Sequence, residues 1–464
     1  MWALKTIAYL IFFVGAGAAA LSNPIWGVVN YMIVYQTDPT DTWWGIPLAD
    51  LGIRFSLVAA GTTMAGMILA RKHVPRVAPG FGWWELGMAG LLLIGIINTI
   101  TGVGFGPVAQ QEFDKFWKVM VFTWILGRLA ASRANLKIVL WTIVLGSLYV
   151  GYDAYTAPPR SFVLGRLEAV GGPDFSTTSG TAAHLSAMLP LIGAMFLIAK
   201  RWRWKLLAGL SGALTVNTII MCRTRSAFVG LVIGAATAVL CAPKARRFRI
   251  HALLILGATL GFSLTDDQFW LRMATMTDSQ LMEADLATVS RKEIWIASMR
   301  IIADYPYGVG VGNFTQMIGQ YAPRHNKRSS HNSLIVCFVE LGVQGGVVFL
   351  MLFGGSLYYL YRCFQLANAS GELLETKMIV YGMLISLLTY FVTALGTQRF
   401  YCESFWWVLM FPLALYRVLR VESTAVDEVS APAGTEEDDA EMAAAAYREP
   451  DAEPLMSSPI RAFG

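Results

Sequence analysis

Residues 321–346 read YAPRHNKRSSHNSLIVCFVELGVQGG. The stretch opens on a cluster of base, Arg324, His325, Lys327, Arg328 and His331, and then runs directly into an apolar helix expected from Ser333 to about Tyr361. Charge at the mouth of a membrane helix is expensive to keep and asks for a purpose. Working outward, the rest of the chain is of the same apolar kind. Of 464 residues, 55% are hydrophobic and 14% charged, with a mean hydropathy of +0.52. Ordinary soluble domains carry roughly 25% charge. Continuous apolar runs of about 17–25 residues recur, which is the length of a membrane-crossing helix. They do not alternate, so a β-barrel is excluded.

The fold class is therefore all-α, a polytopic helical membrane protein. About twelve spans are expected, at 6–22, 55–71, 85–103, 116–131, 138–154, 180–199, 206–221, 226–242, 250–265, 332–361, 376–396 and 401–420. Residues 24–36 are apolar but short, and read equally as a re-entrant segment, an interfacial one or an extension of the first helix. Arg71-Lys72-His73, Arg76, Arg128 to Lys137, KRWRWK at 200–205, KARRFR at 244–249, Arg417 and Arg420 fall on alternate loops. By the positive-inside rule that side is cytoplasmic, and both termini lie there. The far side holds 37–54, 104–115, 155–179, 222–225, 266–331 and 397–400. Residues 1–420 form the membrane body, with 266–331 as its large far-side loop. Residues 421–464 read as a disordered acidic cytoplasmic tail, with eleven acids and two bases. The tail sums to −9 within a net +5, leaving +14 on the body, which suits anionic headgroups or an anionic substrate.

Two features near the ends are quieter. Lys5, the apolar run and GAGAAALSNP resemble a signal peptide but read better as an uncleaved first helix. The five cysteines are scattered, with no CxxC and no disulfide framework; Cys222 and Cys402 share the far side without implying a bridge.

Within the long loop, Ser290-Arg291-Lys292-Glu293 reads as a capping box opening a helix to Asp304. Ile294, Trp295, Met299 and Ile302 make its apolar face. Pro306 stops it, and the glycines of YPYGVGVGNF let the backbone turn tightly.

The far side ought to be poor in cations, yet it holds Arg166, Arg223, Arg225, Arg291, Lys292, Arg324, Lys327, Arg328 and Arg399. An anionic ligand at that surface is the simplest reason, and Arg suits phosphate because its fork bonds in pairs and never deprotonates. Arg223-Thr224-Arg225-Ser226 puts two guanidinium groups in a tight turn, the second at a helix N-terminus. The bland alternative is a loop snorkelling to headgroups. Arg291 and Trp295 share a helix face, which also fits a surface cation–π contact. Arg166 lies in a polar loop, where a plain loop charge reads as well. His331 is flanked by far-side charge and by a membrane helix; imidazole, with an unperturbed pKa of about 6.5, accepts a hydroxyl proton at neutral pH. A structural donor is the competing reading for it. His184, inside an apolar run, reads as a buried hydrogen-bonded side chain. There is no Walker loop, no HExxH and no far-side acid pair fit to hold a metal–diphosphate complex, so no metal or other cofactor is expected.

His331-Asn332, nine residues, Gly342, two residues and Gly345 resemble the HN-x9-G-x-x-G signature of the O-antigen ligase and polymerase family. Arg291 to Trp295, Asp304-Tyr305-Pro306 and Gly308 to Phe314 resemble that family's R-x-x-x-W and D-x-P-x-G-x-G-x-G-N-F segments. Arg223-Thr224-Arg225-Ser226 resembles its S-R turn, with Thr224 where Ser is usual. The likeness covers roughly residues 160–400. SNPIWGVVNYMIVYQTDP is similar to a subgroup found with exopolysaccharide or exosortase systems. The resemblance implies a metal-independent glycosyltransferase of GT-C type in the bacterial inner membrane, working on the periplasmic face. The donor it implies is a glycan on undecaprenyl diphosphate. The acceptor is a hydroxyl on lipid A–core, a glycan or a protein; no nucleic acid is involved. Arg225, Arg291, Arg223 and Arg166 would bind the diphosphate, and Arg324, Lys327 and Arg328 would guide the donor. His331 would activate or orient the acceptor hydroxyl, Asn332 would orient it or the donor, and the anomeric centre would invert. Trp295, Gly342 and Gly345 would serve structure. A polymerase joining repeat units is the alternative in the same chemistry. A flippase or transporter is the rival of another class; it would favour charge in mid-span rather than at helix ends.

Overall fold

The computed structural model describes residues 2–42, 44–50, 52–76, 82–168, 170–276, 286–369 and 374–430. The chain divides into two compact units, Met1–Leu419 and Arg420–Gly464. In the first, α1 (Trp2–Ser22), α2 (Ile25–Thr37), the single turn α3 (Ile46–Ala49) and α4 (Phe55–Leu69) are followed by α5 (Trp83–Thr101), α6 (Pro107–Leu129) and α7 (Arg133–Tyr155). A two-stranded hairpin, β1 (Phe162–Val163) and β2 (Arg166–Leu167), leads to α8 (Thr178–Ile198), α9 (Trp202–Cys222), α10 (Arg225–Leu240) and α11 (Arg247–Leu264). The long loop carries α12 (Asp267–Ala274), α13 (Leu286–Asp304) and α14 (Phe314–Tyr321). α15 (Ser333–Ala369), α16 (Leu374–Ala394) and α17 (Glu403–Ser430) complete the chain's described helices.

The protein is a helical polytopic membrane protein. Among the described residues, nine helices are long and apolar enough to cross a bilayer. The other three expected spans are present as helices of different character. α4 and α10 are apolar but have only 15 and 16 residues. α6 has the length, but Glu112, Asp114, Lys115 and Lys118 charge its first half. The bundle turns large apolar side chains outward, among them Leu4, Ile68, Ile100, Leu240, Ile255 and Phe262, as a lipid-facing surface requires. Inside, Phe116, Phe349, Tyr390, Phe400, Phe405, Trp406 and Trp407 are fully buried. α10 lies against α16 through two glycines one turn apart. A Cβ at Gly230 would stand 2.1 Å from Thr393 Oγ1, and one at Gly234 would stand 2.3 Å from Thr389 Oγ1. Small residues at that spacing are what let membrane helices approach closely.

Residues 24–36 settle as a helix of their own. Pro24 interrupts the first helix and α2 folds back along it: Asn30 Nδ2 donates to Phe13 O at 3.1 Å, and Gly27 meets Thr63 of α4. α2 is buried along nearly its whole length. This return puts the start of α1 and the end of the first unit at opposite ends of the bundle. Thr6 Oγ1 donates to Trp44 O at 2.6 Å and Lys5 lies over the Tyr152 ring, so α1 starts at the end of the bundle where α7 finishes. Arg417, near the end of the first unit, lies at the other end, bonded to Gly127 O and Glu85. There Glu85, with its side chain wholly buried, is clasped by Arg128 and Arg417.

Two boundaries and one buried face also move. α13 begins at Leu286, so Ser290 lies inside it and not at its cap. Its buried stripe is Ile294, Ala297, Ser298 and Ile301, while Trp295 and Met299 sit off it, more exposed. The last helix continues to Ser430, past the expected end at residue 420. Of the second unit, residues 420–430 are helical; the remainder of the proposed acidic tail, 431–464, lies outside the described residues.

Candidate active site

His331 sits on a turn held from three directions. Its own backbone is left-handed, with φ of 50°, a conformation uncommon outside glycine. The turn is stitched by Ser330, whose hydroxyl donates to Asn332 O at 3.0 Å and accepts from Asn332 N at 3.1 Å. Trp295 Nε1 donates to Ser330 O at 2.8 Å, tying the turn to α13. Asn332 then opens α15: its Oδ1 accepts from Leu334 N at 3.0 Å and Ile335 N at 3.1 Å. That is an N-cap, which supplies a partner for helix donors that otherwise have none. The expected orienting role for Asn332 therefore meets a side chain whose oxygen is already engaged.

The third hold comes from the short loop before α17. Ser329 Oγ donates to Gln398 Oε1 at 2.8 Å, Ser333 Oγ donates to Thr397 O at 3.0 Å, and Arg399 N donates to Ser333 Oγ at 2.6 Å. The imidazole itself makes no hydrogen bond among the described residues.

Below the turn α15 is broken at Gly342, where φ is +73°. The loop after α13 fills the break. Val309 N donates to Val339 O at 3.0 Å, Gly310 N to Glu340 O at 3.1 Å, and Val343 N to Pro306 O at 2.9 Å. The buried Glu340 carboxylate accepts from Gly312 N at 2.9 Å, from Phe314 N at 3.0 Å and from Tyr401 OH. Gly308, Gly310 and Gly312 all have positive φ, which explains the glycine alternation in YPYGVGVGNF. A Cβ on Gly308 would meet Glu340 O and Gly342 N at 2.6 Å. The two glycine-bearing motifs thus form one joint that fixes the long loop against α15.

Cations surround the imidazole. Burial, and then the charges of Arg291, Arg399, Arg166 and Arg328, push the His331 pKa down from 6.5 to about 4. Arg166, on β2, donates from Nη2 to Thr178 Oγ1 at 2.5 Å and lies by Cys222 O. Burial lowers its pKa from the ordinary guanidinium value, with neighbouring Arg225 acting in the same direction. Arg225 is buried at the start of α10 and donates to Thr275 Oγ1 at 2.8 Å and Thr288 Oγ1 at 3.1 Å. Arg223 turns elsewhere. It has φ of 46° and is engaged by Asp266 and by Gln268 Oε1 at 2.5 Å. Arg324 lines a separate pocket of about 420 Å³ with Glu293, Arg300, Tyr321 and His325, and Lys327 is exposed on the loop. The expected site residues therefore separate. Arg291, Arg166 and Arg328 act on His331 and Arg225 neighbours Arg166, while Arg223 is engaged by Asp266, Arg324 lines another pocket and Lys327 is exposed.

Three groups were not singled out from the sequence. Arg399 counted among the far-side cations but received no role. Lys115 on α6 pairs with the buried Asp174, which also accepts from Tyr35 OH at 2.8 Å. Burial would raise the Asp174 carboxyl, but the charges of Lys115 and Arg399 outweigh it and hold it below the usual range. His184 beside this pair is buried against Phe175 and Tyr35, and among the described residues it lacks the hydrogen bond expected of it. All five cysteines are free.

Residues 210–350 match the family model described as O-antigen ligase. The matched stretch runs from within α9 into α15 and includes Arg223, Arg225, Arg291, His331, Asn332, Gly342 and Gly345; Arg166 and Arg399 fall outside it. The likeness read from the sequence motifs and the match to the O-antigen ligase model coincide over this stretch. No curated protein matches the chain.

Proposed function

From the O-antigen ligase match over residues 210–350 we propose that this protein transfers a glycan from undecaprenyl diphosphate to an acceptor hydroxyl, at the end of the bundle that carries His331. The observation that carries the reading is the imidazole on its clasped left-handed turn, without a hydrogen-bond partner among the described residues and acted on by the charges of Arg166, Arg291, Arg328 and Arg399. Arg225, Arg166 and Arg291 take the diphosphate. Fixed positive charge lowers the barrier to its departure without reorganising at the moment of reaction. His331 takes the proton of the acceptor hydroxyl as the new glycosidic oxygen bond forms opposite the leaving group, so the anomeric centre inverts. The lipid diphosphate departs with the electrons of the broken bond.

The low basicity of His331 has a place in this scheme. Imidazole with a pKa near 4 is a weak base. A bound diphosphate brings negative charge among the same guanidinium groups and raises the imidazole pKa toward neutrality. The base is then strongest when the donor is present. The far end of the bundle carries Arg71, Lys72, Arg128, Arg417 and the runs at 200–205 and 244–249, which orients it to the cytoplasm and the site to the periplasm of the inner membrane. With α2 returning, the same orientation puts the start of α1 on the periplasmic side.

The acceptor is lipid A–core, a glycan or a protein; a polymerase joining repeat units uses the same residues. The fate of lipid-linked glycan in a strain lacking the gene separates these outcomes. Long polymer accumulating on undecaprenyl diphosphate identifies a ligase. Accumulation or transfer of single units alone identifies a polymerase. Unchanged pools of both contradict the proposal.

A further inference from the structure

The loop Thr397-Gln398-Arg399 joins α16 to α17 and lies beyond the stretch that matches the ligase family. It touches the His331 turn on both sides of the histidine. Gln398 takes the Ser329 hydroxyl, two residues before it. Thr397 O and Arg399 N bracket the Ser333 hydroxyl, two residues after it. Such a clasp is what a left-handed, non-glycine residue needs to stay in place.

The Arg399 side chain points inward from this clasp. It is buried, donates from Nη1 to Asp174 O at 2.9 Å and from Nε to Gln398 O, and among the described residues no carboxylate is hydrogen-bonded to it. The buried Asp174 carboxylate is shared between Lys115 and Arg399, one negative charge against two positive ones. The group keeps a net positive charge, in a setting where water screens it little.

We propose that Arg399 is a positioning residue for His331, holding the turn through the 397–399 clasp and setting the electrostatic field at the imidazole with its buried charge. This rests on the reading of His331 as the base. Arg399 makes no contact with substrate in this account and acts only through the histidine. Among the described residues, the charged groups that act on His331 are Arg291 on α13, Arg166 on β2, Arg328 on the same loop and Arg399 before α17, and all four favour the neutral ring.

The test replaces Arg399 by Gln and by Lys in the full chain in lipid nanodiscs and follows the histidine ring signals by NMR. The His331 signal is identified among the five histidines by its loss in His331→Gln. In R399Q its titration midpoint is expected to rise by about one unit or more, the scale of one nearby charge. In R399K it should stay near that of the parent. The acid limb of kcat/KM should rise with it in R399Q, whereas a merely structural loss would lower the rate equally at every pH. An unchanged midpoint in R399Q, or a rate loss independent of pH, overturns the proposal. A midpoint that rises while the acid limb stays fixed supports the positioning role and instead refutes His331 as the base.

Discussion

Replacing Glu340 by Ala removes the acceptor at the joint between the long loop and α15. Three buried donors, Gly312 N–H, Phe314 N–H and Tyr401 O–H, lose their partner at once. Leaving one buried donor unsatisfied costs about 1–3 kcal/mol. The sum has an upper limit near 9 kcal/mol, and water entry with local relaxation should hold the observed loss to about 3–5 kcal/mol. That is a large share of the roughly 5–15 kcal/mol that separates most folded domains from unfolding. Glu340→Gln keeps one oxygen and places an amide N–H against the other donors, so a loss of about 1–3 kcal/mol is expected. The assay is the thermal unfolding midpoint of each purified variant in detergent, together with limited proteolysis of residues 305–313. The order parent, Gln, Ala is expected, with cleavage in the loop increasing in the same order. An Ala variant as stable and as resistant as the parent would refute the account of the joint.

Other expectations follow from the same geometry. Gly342→Ala places a Cβ 2.4 Å from the Tyr307 carbonyl carbon at positive φ and should impair folding and transfer. Gly354→Ala in the same helix meets nothing within 4 Å and should be neutral or stabilising by about 0.5–1 kcal/mol, read from unfolding midpoints. Arg225→Ala should lower transfer about 100–1,000-fold, as loss of a leaving-group donor does. Arg223→Ala should lower it far less, because that guanidinium is engaged with Asp266; equal effects on kcat/KM would contradict the division. The pH profile should separate the free enzyme from the complex. The acid limb of kcat/KM is expected near pH 4, since His331 there is lost as a base only when pH falls through its depressed pKa. The limb of kcat should lie higher, because bound diphosphate raises that pKa; coincident limbs would rule out donor-linked activation.

Much of this architecture is legible in the chain because apolar length and local spacing survive in one dimension. The twelve apolar stretches, the Arg223 to Ser226 turn and the His331-Asn332 junction are all local signals. What escapes is whatever depends on distant partners. The short run 24–36 reads the same whether buried or interfacial, and only its contacts with α1 and α4 show that it folds back. Glu340 reads as an oddity inside an apolar helix until Gly312 and Phe314 are brought to it across 28 and 26 residues. Arg399 lies 66 residues from Ser333, and Lys115 lies 59 from Asp174, distances over which no spacing rule operates. Asn332 illustrates the opposite hazard. Its place beside His331 suggests chemistry, while its helix-start position already explains it as a cap.

The central claim is transfer of a lipid-linked glycan with His331 as base. Its most direct test is single-turnover transfer from a purified undecaprenyl-diphosphate glycan by the parent and by His331→Ala, each first shown to be folded in nanodiscs. The account predicts transfer and release of undecaprenyl diphosphate by the parent, and neither by the folded variant. Transfer by His331→Ala at the parent's rate would contradict it.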